Sequence, residues 1–140
     1  MSLDRTTVVL VEDNLDHATL VLRHLEKNKS TGKVIHLTDG EAALKFFDSI
    51  GDDAGPALIL LDLRLPRVDG LEVLRQVKSK ASLQNIPVVI LTTSAAEDDI
   101  TRAYGFHANS YLVKPADFGQ FRELMKDLGE YWLGWNKTPV

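Results

Sequence analysis

Cysteine is absent from the 140-residue sequence, which excludes a disulfide framework and a thiolate metal site. No apolar run exceeds strand length, so none spans a bilayer. The N-terminus reaches charged Asp4 and Arg5 at once and has no signal-peptide pattern. Excess basic charge is lacking too. Sixteen Lys and Arg against 20 Asp and Glu leave a net charge of -4. The basic residues are dispersed, which argues against a nucleic-acid surface. The four histidines, His17, His24, His36 and His107, lack ligand spacing and read as ordinary surface or half-buried residues. There is no repeat, no low-complexity tract and no interdomain linker. One cytoplasmic domain over 1–140 is expected, without membrane or nucleic-acid partners. Met1, Ser2 and Leu3 read equally as native sequence or as a remnant of expression.

What is present is a fivefold alternation of apolar runs and helical patterns. Thr7-Val8-Val9-Leu10-Val11-Glu12 is β-rich, and Asn14 can cap a helix with Ala18, Val21, Leu22 and Leu25 on one face. Lys33-Val34-Ile35-His36-Leu37-Thr38 reads as a second strand. Asp39 caps a helix burying Ala43, Leu44, Phe47 and Ile50. Ala57-Leu58-Ile59-Leu60-Leu61-Asp62 is the third strand, followed by a helix from Gly70 with Leu71, Leu74 and Val77. Pro87 opens the fourth strand, through Thr92, at a position where a missing N–H is tolerated. A helix over 97–106, a short strand over 110–114 and a helix from Asp117 complete the pattern. Strands one, three and four are almost continuously apolar, as parallel strands covered on both faces require. Alternating βα units give a doubly wound α/β sheet with helices on both faces. By analogy with other five-unit folds, the expected order is the flavodoxin-like 2-1-3-4-5, with the functional crevice at the carboxyl ends of the strands.

The polar residues that interrupt the apolar runs fall on that rim: Glu12 and Asp13, Asp62, Thr92 and Lys114. Alone, each acid reads as a helix cap or turn residue. Five polar strand ends together are hard to explain that way. Clustered carboxylates raise one another's pKa, and a divalent cation and an ammonium group make the cluster tolerable. Magnesium takes one or two carboxylates plus waters and phosphate oxygens. Asp13 and Asp62 suit direct ligation; the longer Glu12 suits ligation through water.

These motifs resemble the response-regulator receiver domains of two-component signalling, from about Thr7 to Leu128. The match rests on Val11-Glu12-Asp13-Asn14, Leu61-Asp62-Leu63-Arg64-Leu65-Pro66 with Asp69-Gly70, Leu91-Thr92-Thr93-Ser94, and Tyr111-Leu112-Val113-Lys114-Pro115. The resemblance implies that Asp62 is the phosphoacceptor. It implies Mg2+ (or Mn2+) on Asp13, Asp62 and the Arg64 backbone carbonyl, with Glu12 acting through water. Thr92 would move onto the phosphoryl group, Lys114 would pair with Asp62 or the phosphoryl oxygens, and the Lys114–Pro115 bond would be cis. Tyr111 would turn inward on activation, and Gly70 would support the turn after the active-site loop. Arg64, Thr93 and Ser94 occupy positions that bear on phosphoryl lifetime, and Arg64 is expected to slow self-dephosphorylation. The Glu-Asp pair replaces the commoner Asp-Asp, and Thr93 stands where many receivers have Ala or Gly.

Ala108-Asn109-Ser110-Tyr111 and Tyr131-Trp132-Leu133-Gly134-Trp135 are similar to the small regulators that partner phytochromes. The implied function is a single-domain regulator that takes a phosphoryl group from a sensor histidine kinase. Its signal would pass through the surface of the fourth helix, fifth strand and fifth helix. Such a protein catalyses its own transfer and is not an ordinary enzyme. Phe118, Phe121, Met125, Leu128, Trp132 and Trp135 form one helical stripe. Its first half is expected to cover the sheet. Its second half, the aromatic extension over 129–140, is expected to join a homodimer interface with Tyr111, or to fold back at Gly129 and Gly134. The competing readings are a phosphorelay intermediate, a constitutive interaction module and an aspartyl-phosphate phosphohydrolase. The last needs a cap and a general acid, and neither is found.

Overall fold

Every apolar run named above becomes a strand of one parallel sheet. The structure, a computed structural model, describes residues 6–29, 31–51 and 55–137. Met1, Ser2, Leu3 and both chain ends therefore lie outside the described residues. The strands are β1 (Val8–Val11), β2 (Val34–Leu37), β3 (Leu58–Leu61), β4 (Val88–Thr92) and β5 (Ser110–Val113). The helices are α1 (Leu15–Lys27), α2 (Gly40–Ile50), α3 (Gly70–Ser79), α4 (Glu97–Gly105) and α5 (Phe118–Leu128). The sheet order is β2-β1-β3-β4-β5, all parallel.

Strand periodicity sorts the core into two layers. Val9, Val11, Ile59, Leu61, Val88 and Ile90 face α2, α3 and α4. Val8, Leu10, Leu58, Leu60, Val89 and Leu91 face α1 and α5. The inner strands β1, β3 and β4 are buried throughout, while the edge strands β2 and β5 are largely half-buried. Side-chain caps start four helices: Asn14, Asp39, Asp69 and Asp117 each accept backbone N–H groups of the first turn. Helix α4 has no such cap at Ala96.

After α5 the chain continues as a π-helical segment, Gly129–Trp135. The wider turn breaks the expected stripe. Phe121, Met125 and Leu128 are buried, and Trp132 and Leu133 pack partly against the α1–α5 layer. Phe118 is 66% exposed, so the first half of the stripe does not cover the sheet at that position, and Trp135 is 82% exposed. Tyr111 packs against the opposite layer. Tyr111, on the edge strand β5, and Trp132 thus pack against different layers of the core.

Candidate functional site

The carboxyl ends of β1, β3, β4 and β5 deliver Glu12, Asp13, Asp62, Thr92 and Lys114 to one rim. All but Asp13 are buried; Glu12 is 1% and Lys114 6% exposed. Parallel registry places them there: Val11 pairs with Leu61, and Thr92 with Val113. Each strand-end residue is thus one step from its neighbour's. Gly70 then brings α3 against the loop that follows β3. A Cβ at Gly70 would lie 2.2 Å from the Asp62 carbonyl oxygen and 2.6 Å from Leu63 Cα, so only glycine permits this approach. Its N–H donates to the Leu63 carbonyl at 2.9 Å.

Lys114 organises the centre. Its ammonium donates to Glu12 Oε1, to Asp62 Oδ2 at 3.0 Å and to His17 Nδ1 at 3.0 Å. An ammonium only donates, so the His17 ring accepts at Nδ1 and is neutral. Burial and the Lys114 charge hold the His17 pKa below its usual value. The second Glu12 oxygen accepts the Asn14 N–H at 3.1 Å, and His36 Nε2 donates to the Glu12 carbonyl at 2.8 Å. Burial, reinforced by the nearby Asp62 charge and opposed by Lys114, raises the Glu12 carboxyl to about 7. Burial pushes Asp62 the same way, but Lys114 and hydrogen bonding from Glu12 and Thr92 outweigh it and leave Asp62 low. One anionic and one proton-holding carboxyl is the expected compromise for two buried acids sharing an ammonium.

Oxygen ligands of Glu12, Asp13 and Asp62 all lie within 4.8 Å of one another. An all-oxygen donor set with an exposed member suits a hard divalent cation that keeps several waters. Both Glu12 oxygens already hold hydrogen bonds, which fits a contact through water better than direct ligation.

The sequence-derived residues that surround this core are placed as follows. The Arg64 backbone N–H donates to Asp62 Oδ1 at 3.3 Å, while its guanidinium reaches away to Asp99 Oδ2 at 2.5 Å. The Ser94 N–H lies 3.4 Å from Thr92 Oγ1, and its hydroxyl also donates to Asp99, at 2.6 Å. The Tyr111 hydroxyl donates to the Ser94 carbonyl at 2.9 Å, so its ring lies over the β4–α4 loop. Thr93 is exposed. The expected cis bond is not found: no peptide among the described residues is cis, and Lys114–Pro115 is trans. Trans is favoured intrinsically by about 0.5–1 kcal/mol, and from it Lys114 reaches both acids.

Three contributors escaped the sequence reading. His17 follows Asp13 by four residues, one helical turn, which marks it as facing the site. His36 lies one residue before the end of the edge strand β2, within reach of the Glu12 carbonyl. Asp99 precedes Ala103 by four and Phe106 by seven, so it sits on the buried stripe of α4, where an acid needs a partner.

Comparison with known proteins decides the lineage. The profile described as "Response regulator receiver domain" matches residues 8–126. The chain belongs to this receiver family. It is 48% identical to the probable methanogenesis regulatory protein FilR2 of Methanothrix harundinacea, over 97% of this chain and 89% of that protein. It is 39% identical to the response regulator Rcp1 of Synechocystis sp., over 90% of this chain and 88% of Rcp1. The crystal structure of Mn(2+)-bound Rcp1 superposes with a TM-score of 0.89 over 96% of this chain and 99% of that one, at 36% identity. That of the phosphorylated cyanobacterial phytochrome response regulator RcpA does so at 0.90 over 98% and 100%, at 38% identity. The receiver fold and the kinship with phytochrome response regulators expected from the sequence are thereby established.

Proposed function

We propose that this receiver accepts a phosphoryl group on Asp62 from a phosphohistidine of a sensor kinase and signals through protein contacts. The observation that carries the reading is the buried Lys114 ammonium held between Glu12 and Asp62 with Asp13 alongside. An anionic carboxylate, fixed and flanked by a cation, is the nucleophile that acyl phosphate formation requires. The Asp62 oxygen forms the O–P bond as the P–N bond to the donor imidazole breaks. Lys114 then follows the charge onto the phosphoryl oxygens. Asp13, Asp62 and the Arg64 carbonyl would hold magnesium, with Glu12 acting through water; the ion neutralises charge on the transferring group. Manganese serves the same donors, in keeping with the Mn(2+)-bound relative.

The chain is its own substrate in this reaction and turns over no other. Thr92 moves toward the phosphoryl group and Tyr111 turns inward into the space it leaves, altering the α4–β5–α5 surface. Similarity to the phytochrome response regulator RcpA and to the bacteriophytochrome response regulators RtBRR and AtBRR supports a phytochrome-type kinase as donor. Among the described residues no helix is long and apolar enough to cross a membrane. A kinase donor of this class would meet the protein in the cytoplasm.

Intact mass after incubation with acetyl phosphate and magnesium tests the chemistry, beside an Asp62→Asn variant and a chelated sample. An adduct that needs both metal and Asp62 is expected. No adduct on the wild-type chain, with histidine-kinase donor also tried, would reduce the protein to a phosphorylation-independent binding module. Exposed Trp135 and Tyr131 support a homodimer through the tail. Sedimentation at tens of micromolar is expected to give a dimer that Trp135→Ala weakens; a monomer with and without acetyl phosphate refutes it.

A further inference from the structure

Asp99 is a charged residue only 6% exposed on the first turn of α4, and the acceptor chemistry makes no use of it. One of its oxygens, Oδ2, receives both the Arg64 guanidinium and the Ser94 hydroxyl. Arg64 stands two residues after Asp62, and Ser94 two after Thr92. The carbonyl of the same Ser94 receives Tyr111. One buried carboxylate therefore joins the loop that carries the acceptor, the loop that follows Thr92, and helix α4.

We propose that Asp99 is a positioning residue: it holds the Arg64 guanidinium on α4 and so withholds it from a phosphoryl group on Asp62. The inference rests on the acceptor reading above. The two partners differ in freedom. The Arg64 side chain is 58% exposed and that of Asp99 8%, so the guanidinium can swing through solvent while the carboxylate stays with its helix. A phosphoryl group offers two terminal oxygens at once, and a planar guanidinium fits such bidentate acceptance better than it fits one shared oxygen. Phosphorylation then sets two anions in competition for one cation. When the phosphoryl group wins, Asp99 keeps Ser94 alone, and the tie between α4 and the acceptor loop is cut. The Arg64 backbone is held separately from its side chain, its N–H donating to Asp62 Oδ1 at 3.3 Å.

The probe is beryllofluoride with magnesium, a phosphoryl mimic, titrated calorimetrically into the full chain. Wild type, Asp99→Asn, Arg64→Gln and the double variant are compared. Removing the competitor is expected to tighten binding about fivefold, the change that roughly 1 kcal/mol of a part-exposed ion pair produces. The gain disappears in the Arg64→Gln background, a dependence that a merely structural role of Asp99 does not create. Should Asp99→Asn fold poorly, Asp99→Ser is expected to behave in the same way. Unchanged or weaker binding by the Asp99 variant, or a gain that persists without Arg64, overturns the latch while leaving the acceptor site standing. A wild-type chain that binds no beryllofluoride in magnesium overturns the acceptor reading and the latch with it.

Discussion

Glu12 provides a titration that solution experiments can isolate. In the folded chain it is 1% exposed, and burial above all, with Asp62 beside it, raises its carboxyl from 4.5 to about 7. Between those values the folded protein holds a proton that the unfolded chain has released. A raised carboxyl contributes stability that is complete below pH 4.5 and is lost as pH climbs through 7. At 1.36 kcal/mol per pH unit the interval corresponds to at most roughly 3 kcal/mol, a large part of the 5–15 kcal/mol typical of a domain. Asp62 acts with the opposite sign, but in a lower window: its carboxyl is depressed below 3.8, so its contribution is lost only as pH falls below that. His17 and His24 also oppose Glu12, because their pKa values are held below 6.5 and they favour the folded state as pH rises through that value. The Glu12 share is therefore read as a difference. Urea unfolding of the wild-type chain and Glu12→Gln is compared from pH 5 to 8 in chelator. The wild-type advantage is expected to shrink by roughly 2–3 kcal/mol across that range. Magnesium favours the ionised acid, so its stabilising effect is expected to be larger at pH 8 than at 5.5. A wild-type minus Glu12→Gln difference that stays flat with pH refutes the assignment.

Replacing Lys114 with Met leaves Glu12 and Asp62 buried without their counter-charge, an expected loss of about 3–5 kcal/mol in chelator; thermal melts with added magnesium are expected to recover part of it. Gly70→Ala forces the new methyl into the Asp62–Leu63 backbone. Adduct formation with acetyl phosphate, followed by intact mass, is expected to slow at least about tenfold. Asn109→Ala removes the oxygen that accepts from both the Val88 N–H and Lys78 Nζ, and is expected to cost about 1–3 kcal/mol in urea unfolding.

The layers were legible because they follow from periodicity, and the strand order followed only by analogy with other five-unit folds. The runs Val8–Val11, Leu58–Leu61 and Val88–Thr92 admit water on neither face, and their polar ends all fall on the same side of the sheet. The acid cluster was legible for the same reason. Long-range partners were not. Nothing local tells Lys114 to reach His17, or Arg64 to turn toward Asp99, since those choices depend on which helix the finished sheet sets opposite. The tail misled for a different cause. An alternating spacing of three and four predicts one face of an α-helix, but the turn widens after Leu128 and carries Trp135 out into solvent. The Lys114–Pro115 isomer was taken from kinship, and the trans bond shows that kinship is a weaker guide to a single torsion than to a set of side chains.

The Lys114 contacts have a bearing on how the chain comes off the ribosome. Its ammonium lies 102 residues in sequence from Glu12, 97 from His17 and 52 from Asp62. The acids are synthesised early and the cation late. A nascent or truncated chain that stops before β5 carries Glu12 and Asp62 without the ammonium that neutralises them. On the proposed reading, competence to take a phosphoryl group therefore arrives only with the last strand.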